Sequence, residues 1–176
     1  GWMVSLGIES GDPEMLSRHK SNVDLEEMKK TVKLIQKNGI RAKGLFMMGL
    51  PGETEETIKR TTKFIKELEL DDLNMTKFTP FPGAPVFKTI HEEGVFNEDW
   101  ELMNCLNFVF VPKGIESKER LEELYKQFIK GFYTSTNWVR KFWPLMFKSP
   151  DSTFRMLKNL PSFLKIRNDF RPESKC

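Results

Sequence analysis

Cysteines and long apolar runs are both scarce in this chain of 176 residues. Cys105 and Cys176 are its two cysteines, and they form neither a disulfide framework nor a CxxC or zinc-binding spacing. No uncharged apolar run reaches about 18 residues, so the sequence predicts no membrane-spanning helix. Ser5 and Glu9 interrupt the first apolar stretch, which argues against a signal peptide there. The expected compartment is therefore the reducing cytoplasm.

Charge is present in quantity but is distributed unevenly. Hydrophobic residues make up 39% and charged residues 30% of the chain, a composition typical of a globular protein. Residues 126–176 hold 11 Lys/Arg and 3 Asp/Glu (+8), whereas residues 1–125 hold 17 and 22 (−5). This asymmetry indicates two regions with different partners. The basic residues of the second region are spread at helical spacing and not clustered, so we expect no nucleic acid.

Residues 2–79 alternate between strand and helix patterns. Period-two runs predict strands at 3–9, 41–48 and 73–79, and the helices between them begin at the capping residues Asp24 and Thr54. Strands joined by helical crossovers form parallel sheets, so the predicted fold class is α/β. A three-stranded parallel sheet is thin because both of its faces need cover, and the sequence therefore indicates a truncated domain.

The pattern changes after residue 86. We expect a short helix at 86–93, a strand at 107–111, and helices at 119–132, 138–147 and 152–167. Residues 119–167 carry ten of the 21 aromatic residues together with the surplus of basic charge. The sequence thus predicts one domain at residues 1–90 and a helical, aromatic and basic extension at residues 91–176.

Three segments follow the three predicted strands: GIESG (residues 7–11), GLPGET (49–54) and TPFPG (79–83). Ligands of parallel α/β sheets bind where the strands end at their carboxyl side. A carboxylate and a hydroxyl beside glycine, as at Glu9 and Ser10, suit a sugar. The second segment lacks the Gly-Lys-Ser/Thr ending of a triphosphate loop. Taken singly, these segments are more typical of turn glycines than of a binding site, and Glu53 fits a partner of the helix dipole as well as a ligand contact.

In their order and spacing the three segments resemble the radical S-adenosylmethionine (SAM) superfamily. The basic Lys20, the run GIRAKGLFMMGLPGET (39–54) and FTPFPGAP (78–85) complete the pattern. The closest resemblance is to the cobalamin-dependent branch that includes the anaerobic magnesium-protoporphyrin monomethyl ester cyclases. The resemblance implies the carboxyl-terminal half of a partial (β/α)6 TIM-like barrel, strands four to six, followed by the helical extension.

The resemblance also implies polar contacts to SAM. Glu9 matches the residue that contacts the ribose, with Ser10 beside it. Lys20 matches the basic residue that reaches the methionine carboxylate. A carboxylate suits diol hydroxyls and a cation suits a carboxylate, so the residue chemistry agrees with these roles.

Apolar and backbone contacts are implied at the other two strands. Leu45 and Met47 match inward-facing positions near the adenosyl group, and Phe78 and Thr79 match the strand end that brackets the adenine. Apolar side chains suit a purine face. The resemblance implies no catalytic residue and no metal ligand in this chain.

The family's CxxxCxxC loop, which ligates a 4Fe–4S cluster, does not occur in this sequence. The expectation is therefore a fragment that is inactive alone and belongs to a parent enzyme. That parent would bind SAM, the cluster and, in this branch, cobalamin. Its small-molecule substrate would be apolar or porphyrin-like, and its reaction would resemble an oxidative cyclase or a methyltransferase.

Two alternatives stay open. One is half of an ordinary TIM-barrel lyase or hydrolase with Glu9 as the acid–base group, although no second carboxylate ends a strand. The other is a module whose basic, aromatic tail binds a membrane surface or a partner.

In our leading hypothesis residues 118–170 pack on the barrel and help to close an apolar substrate site. The membrane alternative predicts that the same aromatics stay exposed beside the lysines. The residues concerned are Phe128, Phe132, Trp138, Phe142, Trp143 and Phe147, with Lys130, Arg140, Lys141 and Lys148.

Overall fold

A computed structural model describes residues 2–19, 23–148, 154 and 158. The chain divides into two compact units, residues 1–138 and 139–176. Among its described residues, the first unit contains two 3-10 turns, Pro85–Lys88 and Trp100–Leu102, and ten helices and strands. These are β1 Met3–Glu9, α1 Pro13–His19, α2 Leu25–Lys37, β2 Arg41–Met48, α3 Glu55–Leu68, β3 Asp72–Lys77, α4 Ile90–Glu93, β4 Gly94–Phe96, β5 Phe110–Pro112 and α5 Lys118–Tyr133. A further helix, α6 Thr136–Lys148, runs across the division.

The main sheet has three parallel strands in the order β1-β2-β3. Gly7 pairs with Leu45, which in turn pairs with Asn74. The predicted parallel α/β sheet is confirmed, and β2 has the predicted bounds. β3 ends two residues before its predicted end, where prolines at 80 and 82 lack the backbone N–H that a strand ladder needs.

One face of this sheet carries the helices. On β2, Ala42, Phe46 and Met48 are buried while the residues between them are half-buried. The buried set packs in one cluster with Val32 of α2, Ile58 and Phe64 of α3, and Leu121 and Phe128 of α5. The three long helices therefore cover the same face. The opposite face, called here the open face, carries Ser5, Gly7, Lys43, Leu45, Met47, Asp72, Asn74 and Thr76.

Both predicted helix caps are present. The Asp24 side chain accepts hydrogen bonds from the backbone N–H groups of Glu26 (2.8 Å) and Glu27 (3.4 Å). Thr54 and Thr57 form a reciprocal capping box, each hydroxyl accepting from the other residue's backbone N–H at 3.2 Å and 3.0 Å. These bonds satisfy N–H groups that the first turn of a helix leaves unpaired, so local sequence fixes where α2 and α3 begin.

α5 is tied to α3 and β3 by polar contacts as well as by the core. Arg120 donates two hydrogen bonds to the carboxylate of Glu55, at 2.7 and 2.8 Å. The hydroxyl of Tyr125 donates to the carbonyl of Met75 at 3.1 Å, and that of Tyr133 to the carbonyl of Leu73 at 2.8 Å. These contacts join residues 118–133 to the sheet within the compact unit of residues 1–138. The domain boundary at residue 90 stays a prediction.

Lys77 is a charged residue on the helix-covered side of β3. The residue is 9% exposed, and its amine donates to Glu122 of α5 at 2.6 Å. The same amine lies 4.6 Å from the ring centre of Phe108 and 5.0 Å from that of Tyr125. The buried charge is thus compensated by one carboxylate and two aromatic faces.

Several elements differ from the sequence prediction. α1 and β4 were not anticipated, and the helix expected at 86–93 is a 3-10 turn followed by the four-residue α4. The strand expected at 107–111 is the short β5, antiparallel to β4. The helix expected at 152–167 lies outside the described residues apart from two positions. No helix in the described part of the chain combines the length and apolarity that crossing a membrane requires.

Candidate functional site

The three segments singled out in the sequence meet at one edge of the sheet. β1 ends at Glu9, β2 at Met48 and β3 at Lys77, and the strands are parallel. Residues 9–12, 49–54 and 78–80 therefore lie at the same end, called here the carboxyl edge. This is the edge at which parallel sheets present residues to ligands.

The first segment is anchored on α3. The hydroxyls of Ser10 and Thr61 are hydrogen-bonded at 3.1 Å, and the N–H of Gly11 donates to the same Thr61 oxygen at 3.1 Å. A Cβ atom on Gly11 would lie 2.6 Å from Cβ of Phe64 and 2.9 Å from Cα of Thr61, so only glycine permits this approach. Ser10 is 2% exposed, and its hydroxyl also accepts from the N–H of Asp12. Its predicted contact with the ribose stays a prediction.

Asp12 continues this anchor and begins α1. Its carboxylate is buried, accepts from the N–H of Met15 at 2.9 Å and pairs with the guanidinium of Arg60. Sequence reasoning missed this residue, although an Asp followed by a proline is a recognisable helix start.

Glu9 lies at an irregularity in β1. The strand register shifts between Gly7 and Glu9, and Glu9 has a positive φ of 67°. Such a bulge turns a side chain away from the regular alternation of the strand, and the left-handed conformation is unfavourable for a residue with a Cβ. Glu9 is half-buried at the carboxyl edge. Local strain at the very residue predicted to bind ribose is typical of functional positions.

Glu53 closes the second segment on itself. It is 3% exposed, and its Oε2 accepts from the N–H of Gly49 at 2.5 Å. Burial raises the pKa of Glu53 to about 8, the N–H groups of Gly49 and Leu50 oppose this rise, and the charge of Asp12 adds to it. Glu53 thus fixes the loop that follows β2. It precedes the capping residue Thr54 and so lies before the first turn of α3.

α1 holds the same loop from its other side. The ring Nε2 of His19 lies 2.7 Å from the carbonyl oxygen of Pro51, and partial burial lowers the pKa of His19. Arg18 pairs with Glu93 of α4 at 2.5 Å. His19 is exposed and also contacts the loop.

An apolar cluster covers part of the carboxyl edge. Phe78 and Phe110 pack edge to face with ring centres 5.8 Å apart. The cluster also contains Met15, Leu50 and Ile90, and Met47 packs against it. Two of the predicted cofactor contacts, Met47 and Phe78, are therefore brought together.

The remaining predicted site residues are distributed around this cluster. Leu45 is half-buried on the open face, one pleat from Met47. Thr79 is 8% exposed beside Phe78. Lys20 lies outside the described residues. Of the predicted site residues, the structure thus brings Met47 and Phe78 together at the carboxyl edge, where Glu9 also lies.

No group of three or more His, Cys, Asp or Glu residues positioned to hold a metal occurs among the residues that the structure describes. Cys105 is half-buried in a loop, with a positive φ of 61°. With two cysteines in its whole sequence, the chain does not fit the three-thiolate ligand set of an iron–sulfur cluster of this kind.

Two cavities lie away from the open face. One of about 70 Å³ lies between α3 and α5 and is lined by Thr62, Phe128 and Trp138 among others. The other, of about 470 Å³, is bounded by β4, β5 and the start of α5. Phe128 and Phe132 contribute to the core on the helix-covered face, where α5 packs on the sheet. That these aromatics help to close a substrate site stays a prediction.

Comparison with known proteins shows which family this chain is similar to. Residues 2–65 match the family model described as the Radical SAM superfamily. The chain is 30% identical over 131 residues to an uncharacterized methyltransferase of Pyrococcus horikoshii, covering 74% of this chain and 28% of the relative. It is 28% identical over 130 residues to the anaerobic magnesium-protoporphyrin IX monomethyl ester cyclase of Rubrivivax gelatinosus, covering 73% and 23%. A probable threonylcarbamoyladenosine tRNA methylthiotransferase of Pyrococcus abyssi is 30% identical over 83 residues, covering 46% and 20%. The chain thus spans about a quarter of the length of the first two relatives, and the resemblance to the superfamily is confirmed.

Proposed function

The chain belongs to the radical SAM superfamily through residues 2–65, and from this premise we propose that it forms the SAM-facing part of a radical enzyme. The observation that supports this most strongly is the one-sided placement of the helices. α2, α3 and α5 share one face of a parallel sheet whose strands follow chain order. That arrangement is typical of a β/α barrel, in which the other face is the interior, whereas doubly wound sheets carry helices on both faces.

In this proposal the chain contributes strands of a partial (β/α)6 barrel, and the open face lines its interior. Leu45 and Met47 lie on that face and flank the adenosyl group, while the strand end at Phe78 and Thr79 brackets the adenine. Glu9 accepts hydrogen bonds from the ribose hydroxyls at the carboxyl edge. Lys20 pairs with the methionine carboxylate.

The residues behind the site keep these contacts in place. Thr61 and Arg60 anchor the segment after β1, and Glu53 fixes the loop after β2. Bonds of this kind position a ligand by restricting the backbone around it. The apolar cluster around Phe78 and Phe110 excludes water from the adenine end of the site.

When SAM is bound and has accepted an electron, it would supply one-electron radical chemistry to a substrate. The ligands of the reducing cluster are not part of this chain, so none of its residues is assigned to that step. We propose that the complete enzyme catalyses a methyltransferase-like or oxidative cyclase-like reaction of an apolar or porphyrin-like small molecule, with cobalamin as a further cofactor. The printed names of the methyltransferase and cyclase relatives support this range.

Replacement of Glu9 tests the proposal in the complete enzyme with its cluster reconstituted. Removing a charged acceptor costs about 1.5–3 kcal/mol, so Glu9→Ala should weaken SAM binding by roughly 10- to 150-fold. Titration calorimetry measures the affinity, and iron content shows that the cluster is retained.

The matched control is Glu14→Ala, because Glu14 is an exposed carboxylate on the neighbouring α1. This control should bind SAM as the unmodified enzyme does. Equal affinities for Glu9→Ala and Glu14→Ala would refute the assignment of Glu9 to the ribose.

A further inference from the structure

The cavity of about 470 Å³ between β4, β5 and the start of α5 has the size of a ligand site. Small-molecule sites of proteins commonly enclose about 300–1,000 Å³. A protein partner covers a broad area of roughly 800 Å² on each side, so a concave space of this size suits a small molecule better. The residues that line the cavity differ from those of the proposed SAM site.

The wall formed by the two-stranded sheet is apolar. Val95 of β4 and Val111 of β5 are cross-strand partners, so their side chains lie on the same face of that sheet. Pro112 and Ile115 are buried and complete the wall. Val95 is nevertheless 75% exposed. An apolar group in the cavity would remove part of this surface from water, which favours binding.

The charged residues of the lining are Lys113, Glu116 and Lys118, and all three are exposed. In the part of the chain that the structure describes, none of them forms an ion pair with another residue. Lys118 is the first residue of α5, and the amino terminus of a helix adds a partial positive charge. The cavity therefore combines an apolar wall with an excess of positive charge.

We propose that this cavity binds a small organic monocarboxylate with an aliphatic body. Ammonium groups donate charge-assisted hydrogen bonds to a carboxylate, so the carboxylate lies at Lys113 and Lys118. The aliphatic body covers Val95 and Val111. Glu116 repels a second negative charge, which disfavours dicarboxylates and phosphates, and the two lysines disfavour a cationic ligand.

Titration of the whole chain with decanoate tests this proposal. Decanoate should bind saturably at one site below its micelle concentration. Decylammonium has the same aliphatic chain and the opposite head charge, and it should bind at least ~5-fold more weakly. Calorimetry measures both affinities. Equal binding of the two ions, or no saturable binding of decanoate, would overturn the proposal.

Variants of the lining then locate the site. Lys113→Gln combined with Lys118→Gln should weaken decanoate binding about tenfold, since an exposed ion pair contributes up to roughly fivefold. Val95→Ser should weaken it at least ~5-fold because the change removes apolar contact surface. Val95 is largely exposed, so its replacement should leave the fold intact.

Controls come from α2, which contributes no residue to the lining. Lys33→Gln combined with Lys37→Gln changes the net charge equally, and Leu34→Ser replaces an apolar residue that is 62% exposed. These variants should bind decanoate as the unmodified chain does, and equal losses in test and control variants would overturn the proposal. Loss of self-association with Val95→Ser, with decanoate binding unaltered, would overturn it in favour of an interface between copies of the chain. Circular dichroism melting confirms that each variant is folded.

Discussion

At the scale of single residues, Glu53 combines a buried carboxylate with a structural task. Its side chain is almost inaccessible, and its strongest contact is the N–H of Gly49. A buried carboxylate in apolar surroundings favours its protonated form. The stability of the loop after β2 is therefore linked to pH.

Replacement of Glu53 by Gln should change the pH dependence of unfolding. The folded-state pKa of Glu53 is raised to about 8, above its ordinary value of 4.5. Its contribution to the free energy of unfolding is thus complete below about pH 4.5 and declines as pH rises to about 8, by an amount of order 4 kcal/mol. Glu53→Gln cannot ionise, so its melting temperature relative to the unmodified chain should rise steadily across this range.

Thermal melting at a series of pH values measures this difference. Glu14→Gln removes an exposed carboxylate, so its melting temperature relative to the unmodified chain should not change with pH over the same range. If the relative melting temperature of Glu53→Gln also did not change with pH, this would contradict the buried, protonated state that we assign to Glu53.

At the scale of elements, the segment from Ser10 to Asp12 is held to α3 by Thr61. One hydroxyl serves both Ser10 and Gly11, so its removal takes one hydrogen bond from the buried Ser10 hydroxyl and one from the buried N–H of Gly11. Buried polar groups that lose a hydrogen bond cost more free energy than the bond itself contributes in water.

Thr61→Val should therefore lower the free energy of unfolding by about 1–3 kcal/mol and accelerate hydrogen exchange at Gly11. Thr62→Val is the matched control, because the Thr62 hydroxyl donates to Ile58 within its own helix and does not contact the segment. Denaturant unfolding and exchange mass spectrometry measure the two effects. Similar exchange at Gly11 in both variants would contradict the anchoring role of Thr61.

Elements that depend on local pattern were predicted well from the sequence. The strands, and α2 and α3 with their caps, follow from periodicity and from Asp24 and Thr54. α1 was missed because its seven residues are too few for a periodic signal, although Asp12 and Pro13 mark its start. β4 and β5 have three residues each and exist through pairing between distant segments. No local pattern predicts such pairing.

The candidate site was predictable in position but not in detail. The parallel strands placed the three segments at one edge, as the sequence implied. The bonds of Ser10 with Thr61 and of Glu53 with Gly49 depend on how loops pack on α3, which one-dimensional spacing does not encode. The positive φ of Glu9 was not predicted either, because glutamate, unlike glycine, is not typical of the left-handed conformation.

At the scale of the whole molecule, one sheet face is covered by helices and the other is half-buried or exposed. A parallel sheet is stable when both faces are covered. In the barrel that we propose, the open face would line the interior and so would also be covered.

The chain alone should neither assemble an iron–sulfur cluster nor cleave SAM. Cys105 and Cys176 cannot reproduce a three-cysteine loop, so no ligand set holds the reducing cluster. Anaerobic reconstitution followed by iron analysis and a deoxyadenosine assay measures both activities. Stoichiometric iron, or product above a protein-free control, would refute this expectation.

The enclosure of Lys77 has a consequence for the chemical reactivity of the chain. Amine acylation requires an accessible nitrogen, and the amine of Lys77 is paired with Glu122 and bordered by two aromatic rings. Exposed lysines such as Lys33 react with acylating reagents from the native state, whereas Lys77 becomes available only when α5 separates from β3. A single lysine thus reports, through its labelling rate, how often the last helix of the first unit detaches from the sheet.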